Sequence, residues 1–409
     1  MRTGNCRACG TLLQHTFIDL GLSPLANSYV PAERMQSGEM FFPLHAYVCE
    51  KCFLVQLEEF ESPEHIFSEY AYFSSYSKSW LRHAEQYASA MRKRFSLTAA
   101  SKVVEIASND GYLLQYFVEH GIPVLGIEPA ANVAKVAIER GVPTEVLFFG
   151  EGIAKRMCAA GHAADLMAAN NVLAHVPDIL DFIAGFRVLL KPEGLATLEF
   201  PHLLRMIERS QFDTIYHEHF SYLSLGAVDF VLRQNGLRAF DIEEVSTHGG
   251  SLRVFVCHDA SGHEVTPAVL RVLNEEKAAG LTSLTGYKDF AKKAIDIKCA
   301  ALQFLIDAHR QGKKVAGYGA AAKGNTFLNF CGIGPELLIS VADRSPHKQN
   351  TLLPGSRIPV VSPEALLASK PDYVLILPWN LKEEIASELA DLRGWGGRFV
   401  AAIPELEVF

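Results

Sequence analysis

The sequence predicts an α/β protein: a doubly wound sheet preceded by a small metal-binding unit and followed by a second α/β unit. Three observations carry that prediction. Residues 102–114, Lys-Val-Val-Glu-Ile-Ala-Ser-Asn-Asp-Gly-Tyr-Leu-Leu, run from an apolar stretch through turn chemistry into a helix. Cys6-x-x-Cys9 recurs as Cys49-x-x-Cys52. Residues 313–325 repeat the strand–turn–helix plan around Gly317-x-Gly319-x-x-Ala322. The expected division is residues 1–72, 73–260 and 261–409.

Composition narrows the function. Lys+Arg number 38 against 46 Asp+Glu, a formal charge of −8 with no basic stripe, which argues against a nucleic-acid partner. No apolar run approaches the ~20 residues of a transmembrane helix, and Met-Arg-Thr-Gly-Asn-Cys is not a signal peptide. The expectation is a cytoplasmic protein with no membrane partner, its eight cysteines reduced or metal-bound.

In chain order, the two Cys-x-x-Cys pairs come first, separated by residues 10–48. Each pair presents two thiolates to one metal, and two pairs close a tetrahedral zinc site over a small β-rich unit. Cys6, Cys9, Cys49 and Cys52 leave no open coordination position, so the Zn2+ is expected to be structural. Residues 67–77 then place three Tyr and two Phe in a Ser-rich stretch. Most of these fit simple packing, and Tyr70 and Tyr72 are the candidates for a polar–aromatic role. Residues 77–95 read as an amphipathic helix.

The central unit opens with the strand at residues 103–107, apolar except for Glu105, a costly acid to bury without a partner. Gly111 can take φ > 0 and let a ligand approach the backbone, and residues 112–120 read as a helix. A second strand, 123–128, ends in Glu128, placed to accept hydrogen bonds from a ribose diol. The dinucleotide fingerprint G-x-G-x-x-G is absent, since Gly111 stands alone. Instead, Glu105-x-Ala-Ser-Asn-Asp-Gly111 resembles the first motif of class I S-adenosylmethionine (SAM) methyltransferases, which have a Rossmann-like seven-stranded sheet. The candidate cofactor residues on the first turn are Glu105, Ala107, Asn109, Gly111 and Leu113. Glu128, Pro129, Asn170 and Asn171 complete them from the second and fourth strands.

Further along, residues 133–139 and 180–190 read as helices, and 144–148, 165–171 and 195–200 as strands. His175 lies in the loop beyond the fourth strand. Residues 212–222, Phe-Asp-Thr-Ile-Tyr-His-Glu-His-Phe-Ser-Tyr, form the densest polar cluster. Its Tyr216, His219 and Tyr222 are spaced i, i+3, i+6, which a helical turn would align on one side. His217-Glu-His219 is too short for the His-Glu-x-x-His zinc pattern. A helix at 223–235 and strands at 237–245 and 251–257, joined by His248-Gly-Gly-Ser251, would finish the sheet. Residues 264–311 are mostly helical. In the last unit, the turn at Gly317 and Gly319 precedes a helix, and Asp343 follows the next strand. Lys323 and Asn325 in the helix's first turn suit a pyrophosphate without a nicotinamide. Strands near 339–342 and 373–377 complete the unit.

Taken together, these motifs resemble the sugar C-methyltransferases that act on dTDP-4-keto-deoxysugars in antibiotic biosynthesis. The resemblance covers nearly the whole chain. It rests on the four-cysteine unit, Glu105-x-Ala-Ser-Asn-Asp-Gly111, Tyr216-His-Glu-His-Phe-Ser-Tyr222, His248-Gly-Gly-Ser251 and Gly317-x-Gly-Ala-Ala-Ala-Lys-Gly-Asn325. It implies SAM as cofactor, a dTDP-4-keto-deoxysugar as substrate and a C-terminal half that holds the nucleotide sugar and no dinucleotide. It also implies a sugar surrounded by Tyr70, Asn170, His175, Tyr216, Glu218 and His219. Tyr72, Tyr222, His248, Lys323 and Asn325 are the further substrate-binding candidates. The doubled Asn170-Asn171 leaves open which one faces SAM. A monomer is expected.

The chemistry follows from the ketone, which acidifies the proton on the neighbouring carbon. A base removes it, donors stabilise the enolate oxygen, and the carbanion attacks the SAM methyl. A neutral His, with a pKa near ~6.5, suits the base at neutral pH. The assignment is His219 as base, Glu218 orienting it or the sugar, Tyr216 and His175 as donors, and C-3 as the methylated carbon. Two alternatives stand beside it: an NAD-dependent nucleotide-sugar oxidoreductase or epimerase using the Gly317-x-Gly319 turn, and a non-catalytic zinc scaffold.

Overall fold

The computed structural model describes residues 4–62 and 73–409. Tyr70 and Tyr72 lie outside the described residues. The chain forms two units, and neither is a continuous segment. The first comprises Met1–Leu13, Cys49–Leu204 and Phe220–Leu284; the second comprises Gln14–Val48, Arg205–His219 and Thr285–Phe409.

The first unit holds a seven-stranded sheet. Its strands are β1 Val103–Ile106, β2 Val124–Ile127, β3 Thr144–Glu145, β4 Ala164–Asn170, β5 Leu190–Pro201, β6 Leu237–Val245 and β7 Ser251–His258. Their order is β3-β2-β1-β4-β5-β7-β6. β1 to β5 pair in parallel, and β7 runs antiparallel to both β5 and β6. β1 and β2 are buried along their whole length, as parallel strands covered on both faces must be. The order reverses at β1, where β2 lies on one side and β4 on the other, so the carboxyl ends of β1, β2 and β4 form the crevice where open α/β sheets bind ligands.

Helix α1, Lys78–Arg94, covers one face. Its buried residues Ala84, Tyr87, Ala88 and Met91 recur at helical spacing and pack on Phe117 and Phe255. Ser77 caps it by accepting from the Trp80 N–H at 3.3 Å. Helix α2, Leu225–Gln234, is capped by Ser224, and Glu276 of helix α3, Pro267–Ala278, reaches its first turn.

Two segments depart from the sequence reading. The helix expected over 112–120 shrinks to Gln115–Val118, because Asn109 and Gly111 take φ of 49° and 78° and wind the chain tightly beforehand. Tyr112, Leu113 and Leu114 are all buried there, which a surface helix could not achieve. Residues 216–222 form no helix either. After a 3-10 turn at Phe212–Thr214 the chain bends, and Ser221–Tyr222 pairs as a strand with Val55–Leu57.

In the second unit, His15–Ser23 pairs antiparallel with Phe42–Val48. Phe17 of this ladder stacks on Phe290, ring centroids 4.5 Å apart, at the start of helix α4, Phe290–Arg310. The β-rich spacer between the cysteine pairs thus belongs to the second unit. A six-stranded sheet follows, with strands β8 Val315–Tyr318, β9 Val341–Ala342, β10 Val360–Val361, β11 Tyr373–Ile376, β12 Arg398–Ala401 and β13 Glu407–Val408. The order β10-β9-β8-β11-β12-β13, parallel except for β13, and helix α5, Ala322–Cys331, after β8 make it Rossmann-like. Among the described residues no helix is long and apolar enough to cross a membrane.

Candidate functional site

The four cysteines meet as the spacing requires. The Sγ atoms of Cys6, Cys9, Cys49 and Cys52 all lie within 4.8 Å of one another. Cys6–Cys52 and Cys9–Cys49 are each 3.5 Å apart, close to the tetrahedron edge of about 3.8 Å that Zn–S bonds of about 2.3 Å dictate. The two turns are built alike. Gly10 N–H donates to Cys6 O at 2.8 Å and Phe53 N–H to Cys49 O at 3.0 Å. Gln56 Nε2 donates to Cys6 Sγ at 3.2 Å, and Lys51 N–H to Cys49 Sγ at 3.4 Å. Donors aimed at sulfur suit thiolates, so this set fits zinc. Between the cysteines, Arg7 donates to Pro177 O at 2.8 Å and lies over the Phe220 ring at 5.5 Å, tying the knuckle to the loop that carries His175.

The turn after β1 is held from several sides. Ala107, like Asn109, is left-handed, at φ 55°. Asn109 Oδ1 accepts from Ser74 N–H at 2.9 Å, and Asp110 Oδ2 accepts from Arg140 at 3.0 Å. A side chain at Gly111 would meet Val142 at 3.0 Å, on top of its positive φ. Glu128 accepts from Asn109 N–H and Ala130 N–H, both at 2.9 Å, one on each oxygen. Each oxygen keeps a second lone pair for a ribose diol. Pro129 and Leu113 flank these contacts in the chain, and Leu113 is fully buried.

Glu105 is completely buried, with the Tyr112 hydroxyl as its neighbour. Burial pushes its carboxyl well above the usual range, against the pull of the neighbouring Tyr112 hydroxyl. Asn170 Oδ1, Asn171 Oδ1 and Asp110 Oδ1 are buried without hydrogen-bond partners. Buried polar atoms are nearly always satisfied. A group of orphaned acceptors at the carboxyl edge of β1 and β4 fits the ammonium and hydroxyl donors of SAM.

On the next strand stands a cluster the sequence reading missed. Glu199 of β5 is fully buried beside Asn170 of β4. It accepts from Arg253 at 2.8 Å and from the Thr247 hydroxyl at 3.1 Å, and His83 Nε2 lies 3.0 Å from both its oxygens. Burial raises this carboxyl, but the His83 hydrogen bond and the Arg253 charge outweigh burial and hold it at about 2. Trp80 stacks on His83 at 4.9 Å and on Tyr112 at 5.9 Å, and meets the edge of His248 at 5.6 Å. His248 sits at φ 53°, a strained conformation for a non-glycine residue. His175 ends the one-turn helix Leu173–His175 beyond β4. A signal for the cluster existed: like Glu105, Glu199 is a lone acid inside an apolar strand.

In the second unit, the Tyr216 hydroxyl lies 2.8 Å from His219 Nε2, and His219 Nδ1 lies 2.8 Å from Thr214 O. The carbonyl can only accept, so Nδ1 carries the proton and Nε2 accepts from the tyrosine. Glu218 follows a different neighbour among the described residues. Its Oε1 accepts from Asn27 Nδ2 at 2.6 Å, and burial raises its pKa to about 7. Lys323 and Asn325 both turn inward, with the Lys323 Nζ and Asn325 Oδ1 buried and without hydrogen-bond partners. Asn325 Nδ2 donates to Ala26 O at 2.6 Å. The Lys323 ammonium lies 5.0 Å over the Trp379 ring, facing Asp213, which accepts from Trp379 Nε1 at 2.8 Å.

Three family models match consecutive stretches of the chain. Residues 6–67 match the model of a zinc binding domain, 80–241 that of a methyltransferase domain, and 246–404 that of a C-methyltransferase C-terminal domain. Among solved structures, magnesium protoporphyrin IX methyltransferase from Synechocystis PCC 6803 with bound SAM is 13% identical. It covers 44% of this chain and 79% of its own, at a TM-score of 0.33. The PH0226 protein from Pyrococcus horikoshii OT3 is 14% identical and covers 49% of this chain and 99% of its own, at 0.37. Overlays at such scores carry no argument; strand order and the family models carry the fold. The C-methyltransferase NovU of Streptomyces niveus is 37% identical over 403 residues, 98% of this chain and 96% of its own. Identity at that level along nearly the whole of both chains makes this protein a SAM-dependent C-methyltransferase, a member of the family to which NovU belongs.

Proposed function

We propose that the enzyme methylates C-3 of a dTDP-linked 4-keto-deoxysugar. The observation that carries this reading is the Tyr216–His219 pair, whose tautomer is fixed by Thr214 O. A carbon becomes nucleophilic only after losing a proton, and beside a ketone that proton is acidic enough for an imidazole-driven base. Bound SAM supplies an electrophilic methyl group to the carbanion.

The chain's own residues then act as follows. Nε2 of His219 is the proton's destination. Because the Tyr216 hydroxyl already donates to it, the tyrosine oxygen can take the C-3 proton while passing its own to the imidazole, leaving a neutral tyrosine and an imidazolium. The two residues work as one base. His175 is assigned as a donor to the enolate oxygen. Glu218, raised to about 7, is partly protonated at neutral pH and can donate to the sugar as well as accept from Asn27. The turn at Gly317 and Gly319 is assigned to the nucleotide, without Asn325.

The test is hydrogen exchange. Enzyme, a dTDP-4-keto sugar and a non-transferring SAM analogue in D2O should exchange deuterium at the carbon to be methylated. His219→Ala should slow exchange and methylation by about 10²–10⁴-fold while both ligands still bind. Tyr216→Phe should fall in parallel, since it breaks the same relay. Exchange at the normal rate in His219→Ala would remove the histidine from the base.

A further inference from the structure

Helix α1 carries a histidine that the proposed chemistry does not use. His83 Nε2 lies 3.0 Å from each oxygen of Glu199, and Arg253 Nη2 approaches the same nitrogen at 3.1 Å. The tautomer follows from charge. Glu199 stays ionised and can only accept, so a lone pair on Nε2 would face two acceptors against one guanidinium donor. Nε2 therefore carries the proton, and Nδ1 keeps the lone pair. Among the described residues nothing bonds Nδ1. The side chain is 19% exposed while Glu199 is fully buried, so the exposed edge is the one turned away from the carboxylate. A histidine with one nitrogen pinned on a buried, ionised carboxylate and the other left open is a prepared acceptor.

Its place in the sheet says what it would meet. Glu128, assigned to the ribose, ends β2, and the orphaned acceptors end β1 and β4. Glu199 is on β5, three strands from β2, about 14 Å away at ~4.8 Å per strand. A SAM with its ribose on β2 and its methionine on β1 and β4 leaves β5 to the molecule being methylated. Trp80 and His248 continue the surface on that side.

We propose that His83 is a binding residue for the methyl acceptor, taking a hydrogen bond at Nδ1 from an O–H or N–H group of that acceptor, and that Glu199 is its positioning residue. The inference deepens the proposed function and rests on SAM-dependent methyl transfer; the arrangement of His83 itself can be tested without any sugar.

The first measurement is the histidine long-range 15N spectrum of the full-length, zinc-loaded enzyme, with His83 assigned by its loss in His83→Gln. The expected tautomer has the proton on Nε2, and Glu199→Gln should disturb it; a proton on Nδ1 overturns the proposal. The second is a set of titrations and kinetics on His83→Ala and His83→Gln. S-adenosylhomocysteine should bind within twofold of the parent enzyme. With a panel of dTDP-4-keto sugars, the sugar KM should rise or kcat fall at least tenfold. All parameters within twofold, parallel loss of S-adenosylhomocysteine and sugar, or full rescue by glutamine would overturn it. If the parent enzyme methylates none of the sugars, the proposed substrate fails, while the tautomer still decides the arrangement of His83.

Discussion

Glu199 and Glu218 are both buried acids, and they pull stability in opposite directions with pH. Glu199 is held at about 2, below its unfolded value of about 4.3. Its contribution is therefore complete above about 4.3 and is lost as pH falls towards about 2. Glu218 is raised to about 7, so folding favours its protonated form, and its contribution declines as pH rises from about 4.3 to about 7. Urea midpoints measured across pH should show both limbs. Glu199→Gln should flatten the acid one and Glu218→Gln the one approaching neutrality; a Glu218→Gln profile that keeps its slope would assign that limb elsewhere. At this scale the sequence was legible where a residue type alone implied a constraint, as with the paired cysteines, Glu105 and Gly111. It was opaque where partners came from distant segments. His83 lies on a helix whose period announces packing, and its significance depends on Glu199, 116 positions away. Lys323 and Asn325 look like anion ligands in a helix's first turn, and nothing in the sequence announces that Trp379, Asp213 and Ala26 surround them.

The elements were read most accurately where burial dictates both ends. β6 and β7 fall at Leu237–Val245 and Ser251–His258, nearly as patterned, because each is framed by turn residues and pairs with a long neighbour. In the polar cluster after β5 the i, i+3 spacing is met not by a helical turn but by a bend that brings Tyr216 onto His219. Helix α2 shows how much a terminus needs. Its first N–H groups are met by Ser224 Oγ at 3.1 Å and by Glu276, which accepts from Leu225 at 2.6 Å and Gly226 at 2.9 Å and also bonds His202 at 2.7 Å. Ser224→Ala should cost about 1 kcal/mol. Glu276→Ala should cost more, about 3–5 kcal/mol, because it strands a buried histidine and two helix donors together. Denaturant unfolding of the two variants decides the ranking, and equal losses would show that the carboxylate is dispensable.

For the molecule as a whole, the zinc site matters by its position in the chain. Its two cysteine pairs stand at either foot of Gln14–Val48, the segment that belongs to the second unit. Cys49→Ser should lose the metal by elemental analysis and lower thermal stability, with activity falling only as folded enzyme is lost. Metal retained at the parental level would remove Cys49 from the ligand set. The interleaving itself was invisible in the sequence, which offered three consecutive segments. Composition and motifs mark where chemistry lies along the chain but not which distant stretches fold together.

The backbone passes from one unit to the other at residues 13/14, 48/49, 204/205, 219/220 and 284/285. During synthesis the nascent polypeptide cannot finish the first unit until residue 284 has left the ribosome, and the second must wait for the last strand. The early hairpin of residues 14–48 emerges long before its partners and must be sheltered or tolerated unpaired, a burden that falls on translation rate and chaperones. Fragments cut at motif boundaries will not regain their shape separately, so any exchange of parts between relatives has to respect all five crossings.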